Sequence, residues 1–152
     1  MAHVRTQLRN AVIARLSAVE ALVLVCPASR FERVLQSDEF PVAGVAVIES
    51  ASAVGRGSPG QRPLKRDYSV QISVGLELVD DAEAVFDGIA VEIEKALADP
   101  SGLGIGQVSD WQFGGAGEGS AKAADHGLFV APMIYRCSLT TLDSAPETNM
   151  HP

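Results

Sequence analysis

The chain has 152 residues, 47% of them apolar and 20% charged, a length and balance that suit one globular domain with a real core and exclude a disordered chain. Its net charge of −7 argues against nonspecific nucleic-acid binding, which depends on Lys and Arg neutralising phosphates. Without a run of about 18 apolar residues, no membrane span is expected.

In chain order, Val4, Leu8, Val12, Leu16, Val19 and Val23 recur at spacings of four and three and predict an amphipathic helix. Leu22 to Val25 is where it is expected to unwind before Pro27. His3, Arg5, Arg9 and Arg15 are spread through this segment, unlike the charges of a secretion signal, which precede an apolar block. The chain is therefore expected to stay in the cytoplasm where it is made. Arg30 to Gln36 fits no single element; a polar turn at Ser37-Asp38-Glu39 follows, and Pro41 suits the start of a strand.

Val42 to Ile48 is a small and β-branched run that predicts a buried strand. Residues 50–66 are rich in Gly, Ser and Pro without apolar period and predict a long loop. Tyr68, Val70, Ile72, Val74, Leu76 and Leu78 then alternate with mainly polar residues, the period-two signature of a strand with one buried face.

A second helix is predicted from Asp80 or Asp81, where a carboxylate could accept from free backbone N–H groups. Val85, Phe86, Ile89, Ile93 and Leu97 form its stripe, and Pro100, Gly102 and Gly104 end it. Gln107 to Phe113 and Leu128 to Leu139 read as two further strands around a flexible loop at 114–125. The segment 143–152 has two prolines and no large apolar residue but Met150, which predicts a flexible tail beyond a single domain at 1–142. The expected fold is α+β, a mostly antiparallel sheet of four or slightly more strands with two helices packed on one face.

Catalytic and cofactor motifs are weak. Gly55 to Arg62 has the glycine spacing of a phosphate loop, but Gln61 and Arg62 stand where Lys and Ser or Thr are needed, and no helix follows. His3, His126 and His151 have no second ligand at helical spacing, and Cys26 and Cys137 lie too far apart for a metal knuckle, so both read as buried thiols. No serine sits in a nucleophile elbow. Neither enzymatic activity nor a cofactor or metal is expected.

Charge is distributed unevenly. Residues 1–66 hold nine Lys or Arg and five Asp or Glu, whereas residues 67–152 hold three and fourteen. Such a molecule suits head-to-tail contact between identical subunits. Arg56, Arg62, Lys65 and Arg66 concentrate in the long loop and make it a candidate docking arm. Trp111, beside Asp110 and a glycine-rich loop, is a candidate interface aromatic, and Glu118 and Asp125 in the second loop are candidate acidic contacts. A solvated loop and ordinary core packing account for the same residues without a partner.

The segments MAHVRTQLRNAVIARL, Phe40-Pro41 before an apolar strand, YSVQISVGLELV, DDAEAVFDGIAVEIEKAL and the closing strand through Tyr135-Arg136 together resemble tail terminator proteins of tailed bacteriophages and related prophage elements over about residues 2–141. The resemblance implies a virion protein of the tail and neck, assembled in the host cytoplasm. Such proteins form a hexameric ring on the tail tube, stop its polymerisation and present the surface for head joining. The implied partners are further copies of the chain, the major tail-tube protein, a head-completion or stopper protein and, in some tails, sheath protein. Alternatives are a sister neck protein, either a head-tail stopper or a tail completion protein, and a small-ligand-binding α+β domain.

Overall fold

The computed structural model describes residues 1–31, 39–122 and 127–152. Helix α1 (Val4–Leu16) buries Val4, Leu8, Val12 and Leu16, the predicted stripe. The predicted period runs on to Val19 and Val23, yet the helix ends at Ser17, whose hydroxyl donates back to the Ile13 carbonyl at 2.7 Å, and Val23 is exposed. Leu24–Pro27 then forms strand β1, where the sequence predicts only an unwinding helix end over Leu22 to Val25. Four residues are too few to display a period. The short helix α2 (Ala28–Phe31) follows, and most of the ambiguous stretch from Arg30 to Gln36 lies outside the described residues.

Strands β2 (Val42–Ala53) and β3 (Pro63–Glu77) are longer than expected. The predicted 50–66 loop shrinks to residues 54–62, because Ala51, Ser52 and Ala53 pair with Arg66, Lys65 and Leu64. Backbone pairing needs no apolar period, so polar strand ends escaped the pattern. After α3 (Ala82–Ala96) come β4 (Ser109–Ala116), β5 (Ser120–Lys122) and β6 (Leu128–Leu142). The second predicted loop is thus partly strand.

The sheet order is β1-β2-β3-β6-β4, with β5 also on β6. β1 runs parallel to β2 and the other pairs are antiparallel. The sheet is therefore mixed and six-stranded, larger than the expected antiparallel one, and the two added strands are the two shortest.

Pleating sends Tyr68, Val70, Ile72, Val74 and Leu76 to one face, opposite Cys137, Tyr135, Met133, Ala131 and Phe129. The stripes of α1 and α3 close over this face, giving one continuous core. Both predicted helices therefore share a face. Among the described residues, the opposite face carries a small second cluster of Cys26 from β1, Phe31 from α2 and Val42 from β2. Phe31 fits because Gly44 and Gly75 have no side chain: an added Cβ would lie 2.8 Å and 2.9 Å from its ring.

The ends of α3 differ from expectation in one respect. Asp81 stands at the N-cap but makes no side-chain cap bond, and the Ala82 N–H donates to the Val79 carbonyl at 3.1 Å instead. At the other end, the Arg15 guanidinium donates to the carbonyls of Ala96, Asp99 and Ser101 at 3.2, 2.8 and 2.9 Å. A cation at that point also opposes the negative end of the helix dipole.

Residues 143–152, read from the sequence as a flexible tail, run back along the domain. The Pro146 carbonyl accepts the Val4 N–H at 2.9 Å, the Met150 N–H donates to the Thr140 carbonyl at 2.8 Å, and Asn149 donates to the carbonyls of Ile105 and Gln107. Their sequence lacks a period because the anchoring is polar and backbone-mediated.

Candidate assembly surfaces

The basic residues singled out in the sequence separate into three environments. Arg66 lies in β3, not in a loop, and its pleat direction turns it to the helix-covered face, where it is 6% exposed. Its Nη1 is 3.1 Å from Glu49 Oε2, and its Nε donates to Thr141 Oγ1 at 2.8 Å. Tyr68 donates its hydroxyl to the other Glu49 oxygen at 2.7 Å. His3, whose Nδ1 accepts the Arg5 N–H as the N-cap of α1, brings Nε2 to 3.5 Å from Arg66 Nη1. Burial pushes the Tyr68 hydroxyl well above its ordinary value, and the hydrogen bond to Glu49 adds to this. The cluster ties β2, β3 and β6 together beside the start of α1, so Arg66 is committed within the chain.

The second environment is the β2–β3 tip. Arg56 is exposed, and Arg62 donates its Nε–H to the Gly57 carbonyl at 3.1 Å. The tip is braced from the C-terminal segment: Asp143 accepts the N–H groups of Gly60 and Arg62 at 3.0 and 3.2 Å, and Ser144 donates to the Gly60 carbonyl at 2.6 Å. Gly60 has φ +88, a conformation that disfavours any other residue.

The third is a shallow groove of about 400 Å³ where β4 bulges away from β6, lined by Lys65, Asp67, Asp110, Trp111, Gln112 and Arg136 among others. Asp110 takes φ 55 at the irregularity. Lys65 lies 3.8 Å from Asp67, which accepts from Ser138 Oγ at 2.6 Å. Trp111 donates its indole N–H to the Leu97 carbonyl at 2.7 Å and stacks on Tyr135 at 5.2 Å, with Phe113 at 5.1 Å on the same ring. Burial, with the charge of Glu94 behind it, raises the Tyr135 hydroxyl to about 12. Trp111 is thus half-buried against α3 and half available at the sheet edge.

The geometry brings Lys65 and Trp111 to one groove, keeps Arg56 and Arg62 at the tip, and turns Arg66 inward. Glu118 is exposed in the turn between β4 and β5, and Asp125 lies outside the described residues. The sequence reading missed the exposed pair Leu78 and Val79 because it places Leu78 in the buried alternation, whereas β3 ends at Glu77 and leaves both exposed in the middle of an acidic stretch. It also missed Asp143, whose neighbours in sequence give no hint of the loop it braces. Among the described residues, no three His, Cys, Asp or Glu side chains converge as ligands of a metal ion would, and no helix is long and apolar enough to cross a membrane.

No protein-family model matches the chain, and no curated sequence is similar to it. Among solved structures, the fold is similar to that of a chain in the virion of a native gene transfer agent particle, with a TM-score of 0.50 and 17% identity over 91% of this chain and 92% of that one. At that identity the likeness is one of fold.

Proposed function

We propose that the chain is a structural virion protein, a tail terminator that forms a hexameric ring on the tail tube, ends its polymerisation and offers the surface for head joining. The observation that carries this reading is the fold likeness to a virion chain along nearly the full length of both molecules. The terminator-like order of helices and strands supports the same reading. Its action is steric and interfacial and needs no cofactor. Cyclic closure uses two different patches on each subunit, which agrees with the uneven charge.

The residues proposed to meet neighbours are Arg56, Arg62, Lys65, Trp111 and Glu118, with Asp125 expected to join them; Arg66 supports the hairpin from inside. Beyond further copies of the chain, the proposed partners are the tail-tube protein, a head-completion or stopper protein and, in a contractile tail, sheath protein. A sister neck protein of the same particle, a stopper or tail completion protein, would share the fold and the ring.

The test is native mass by light scattering over a concentration series, with negative-stain imaging, followed by addition to polymerising tail-tube subunits. A six-chain ring with a central hole that shortens the tubes supports a terminator. A ring without effect on tubes favours the sister role. A chain that neither forms rings nor alters tube length refutes both.

A further inference from the structure

The β2–β3 tip and the start of α3 lie at opposite ends of β3, whose fifteen residues from Pro63 to Glu77 span roughly 45 Å at about 3.3 Å per residue. The two ends differ chemically. Around the turn into α3, Leu78, Val79 and Val85 are 46%, 47% and 39% exposed, and Glu77, Asp80, Asp81, Glu83 and Asp87 are exposed between and beside them. Residues 77–94 contain no Lys or Arg. Among the described residues, none of these five carboxylates is in an ion pair. At the far end the tip offers the converse, an exposed Val54 with the guanidinium groups of Arg56 and Arg62.

From this we infer that residues 77–87 of one copy form the docking surface for the β2–β3 tip of the next. The inference rests on the self-assembling reading above and adds the surface that receives the tip. Apolar atoms flanked by carboxylates match apolar atoms flanked by guanidinium groups. The two patches cannot meet within one molecule, because a rigid strand holds them apart. A second copy can bring them together, and contact between unlike patches is heterologous, the kind that closes into rings or extends into filaments. The brace from Asp143 and Ser144 fixes the tip before contact, which reduces the ordering cost of binding.

The experiment uses two full-length variants, Arg56→Glu and the pair Asp80→Lys with Asp81→Lys, each checked for native circular dichroism. Asp81 makes no side-chain cap bond, so its replacement removes no cap hydrogen bond from α3. Each variant alone sets like charges against one another and should raise the concentration for half-assembly about tenfold or more. An equimolar mixture restores opposite charges at every contact and should assemble near the wild-type concentration.

A chain carrying Arg56→Cys and Asp81→Cys supplies a second readout, a ladder of intermolecular disulfides under mild oxidation. Wild-type assembly that both variants retain, with no recovery to be gained on mixing, overturns the pairing of these two ends and leaves the self-assembling reading standing. A monomeric wild type with no ladder, with and without tail-tube protein, overturns both.

Discussion

Arg66→Met is the substitution whose cost follows most directly from the structure. The guanidinium and the Glu49 carboxylate are 7% and 16% exposed as side chains and 3.1 Å apart. Removing one partner of a buried pair leaves the other charge uncompensated, which costs about 3 to 5 kcal/mol. The residual exposure of Glu49 and its second hydrogen bond from Tyr68 place this case near the lower end. For a domain of this size each kcal/mol moves the thermal midpoint by roughly 2 to 4 °C, so a fall of about 6 to 12 °C is expected. Urea unfolding should give the same loss at an unchanged slope. Adding Glu49→Gln to Arg66→Met should recover at least half of it, since no buried charge then remains. The pair also predicts a pH dependence. Burial disfavours the Glu49 charge, but hydrogen bonds from Tyr68 and Arg66 and the guanidinium charge outweigh it, and the carboxyl titrates below its ordinary value of 4.5. A depressed folded-state value contributes stability that is complete above the unfolded value and is lost as pH falls through the folded one. The wild type should therefore lose stability below about pH 4.5 more steeply than Glu49→Gln. A loss under about 1 kcal/mol for Arg66→Met, the range of exposed pairs, or additive single and double variants, would refute the reasoning.

Other sites give independent expectations. Gly75→Ala places a Cβ 2.9 Å from Phe31 Cζ and 3.0 Å from Val42 Cγ1; it should cost about 1 to 3 kcal/mol in chemical denaturation, and Phe31→Leu in the same chain should return part of that. Arg15→Gln removes a donor shared by three carbonyls at the end of α3 and should cost about 1 to 2 kcal/mol, with faster amide exchange confined to the last turn of α3. Burial raises both thiols, Cys137 to about 12 with Asp67 adding to the shift, and Cys26 against a smaller opposing effect of Arg30. Neither should react with a thiol reagent at pH 8 in the folded protein, and both should react in denaturant; a fast-reacting native thiol would contradict the buried placement.

The legible parts of the fold are those where one face is apolar over many residues. The stripe of α1, the alternation of β3 and the stripe of α3 each fix an element and the side it buries, although each includes one residue that is exposed, Val23, Leu78 and Val85 in turn. Elements that show no apolar period were not legible: β1 and β5 have four and three residues, and the ends of β2 and β3 carry Ala, Ser, Lys and Arg in place of an apolar alternation. The same limit applies to the surfaces. Composition marks Arg56 through Arg66 as one basic group, but only pairing register shows that Arg66 points inward beside Glu49 while Lys65 points to the open face. Asp143 and Gly60 are 83 positions apart, so the brace at the tip has no local signature.

The register also changes what the hairpin can contribute to assembly. Of the four cations between residues 56 and 66, Arg66 is buried against Glu49, Lys65 is near Asp67, and Arg62 donates to Gly57. Exposed ion pairs contribute about 0 to 1 kcal/mol each, and the remaining guanidinium charge cannot by itself hold two copies together. Strength must come from apolar area. Val54, Leu78, Val79 and Val85 are each 39% to 48% exposed, and fully burying such a side chain contributes about 1.5 to 3 kcal/mol, of which roughly half remains to be gained here. Charge then selects which end meets which, and closure of a ring, where each subunit is held at two contacts, supplies the rest through effective concentration. On this account Leu78→Ser should raise the half-assembly concentration more than Arg56→Gln does, and added salt should slow assembly more than it weakens the finished ring. The opposite order, with salt dissolving rings that Leu78→Ser leaves intact, would make the contact electrostatic and remove the apolar part of the argument.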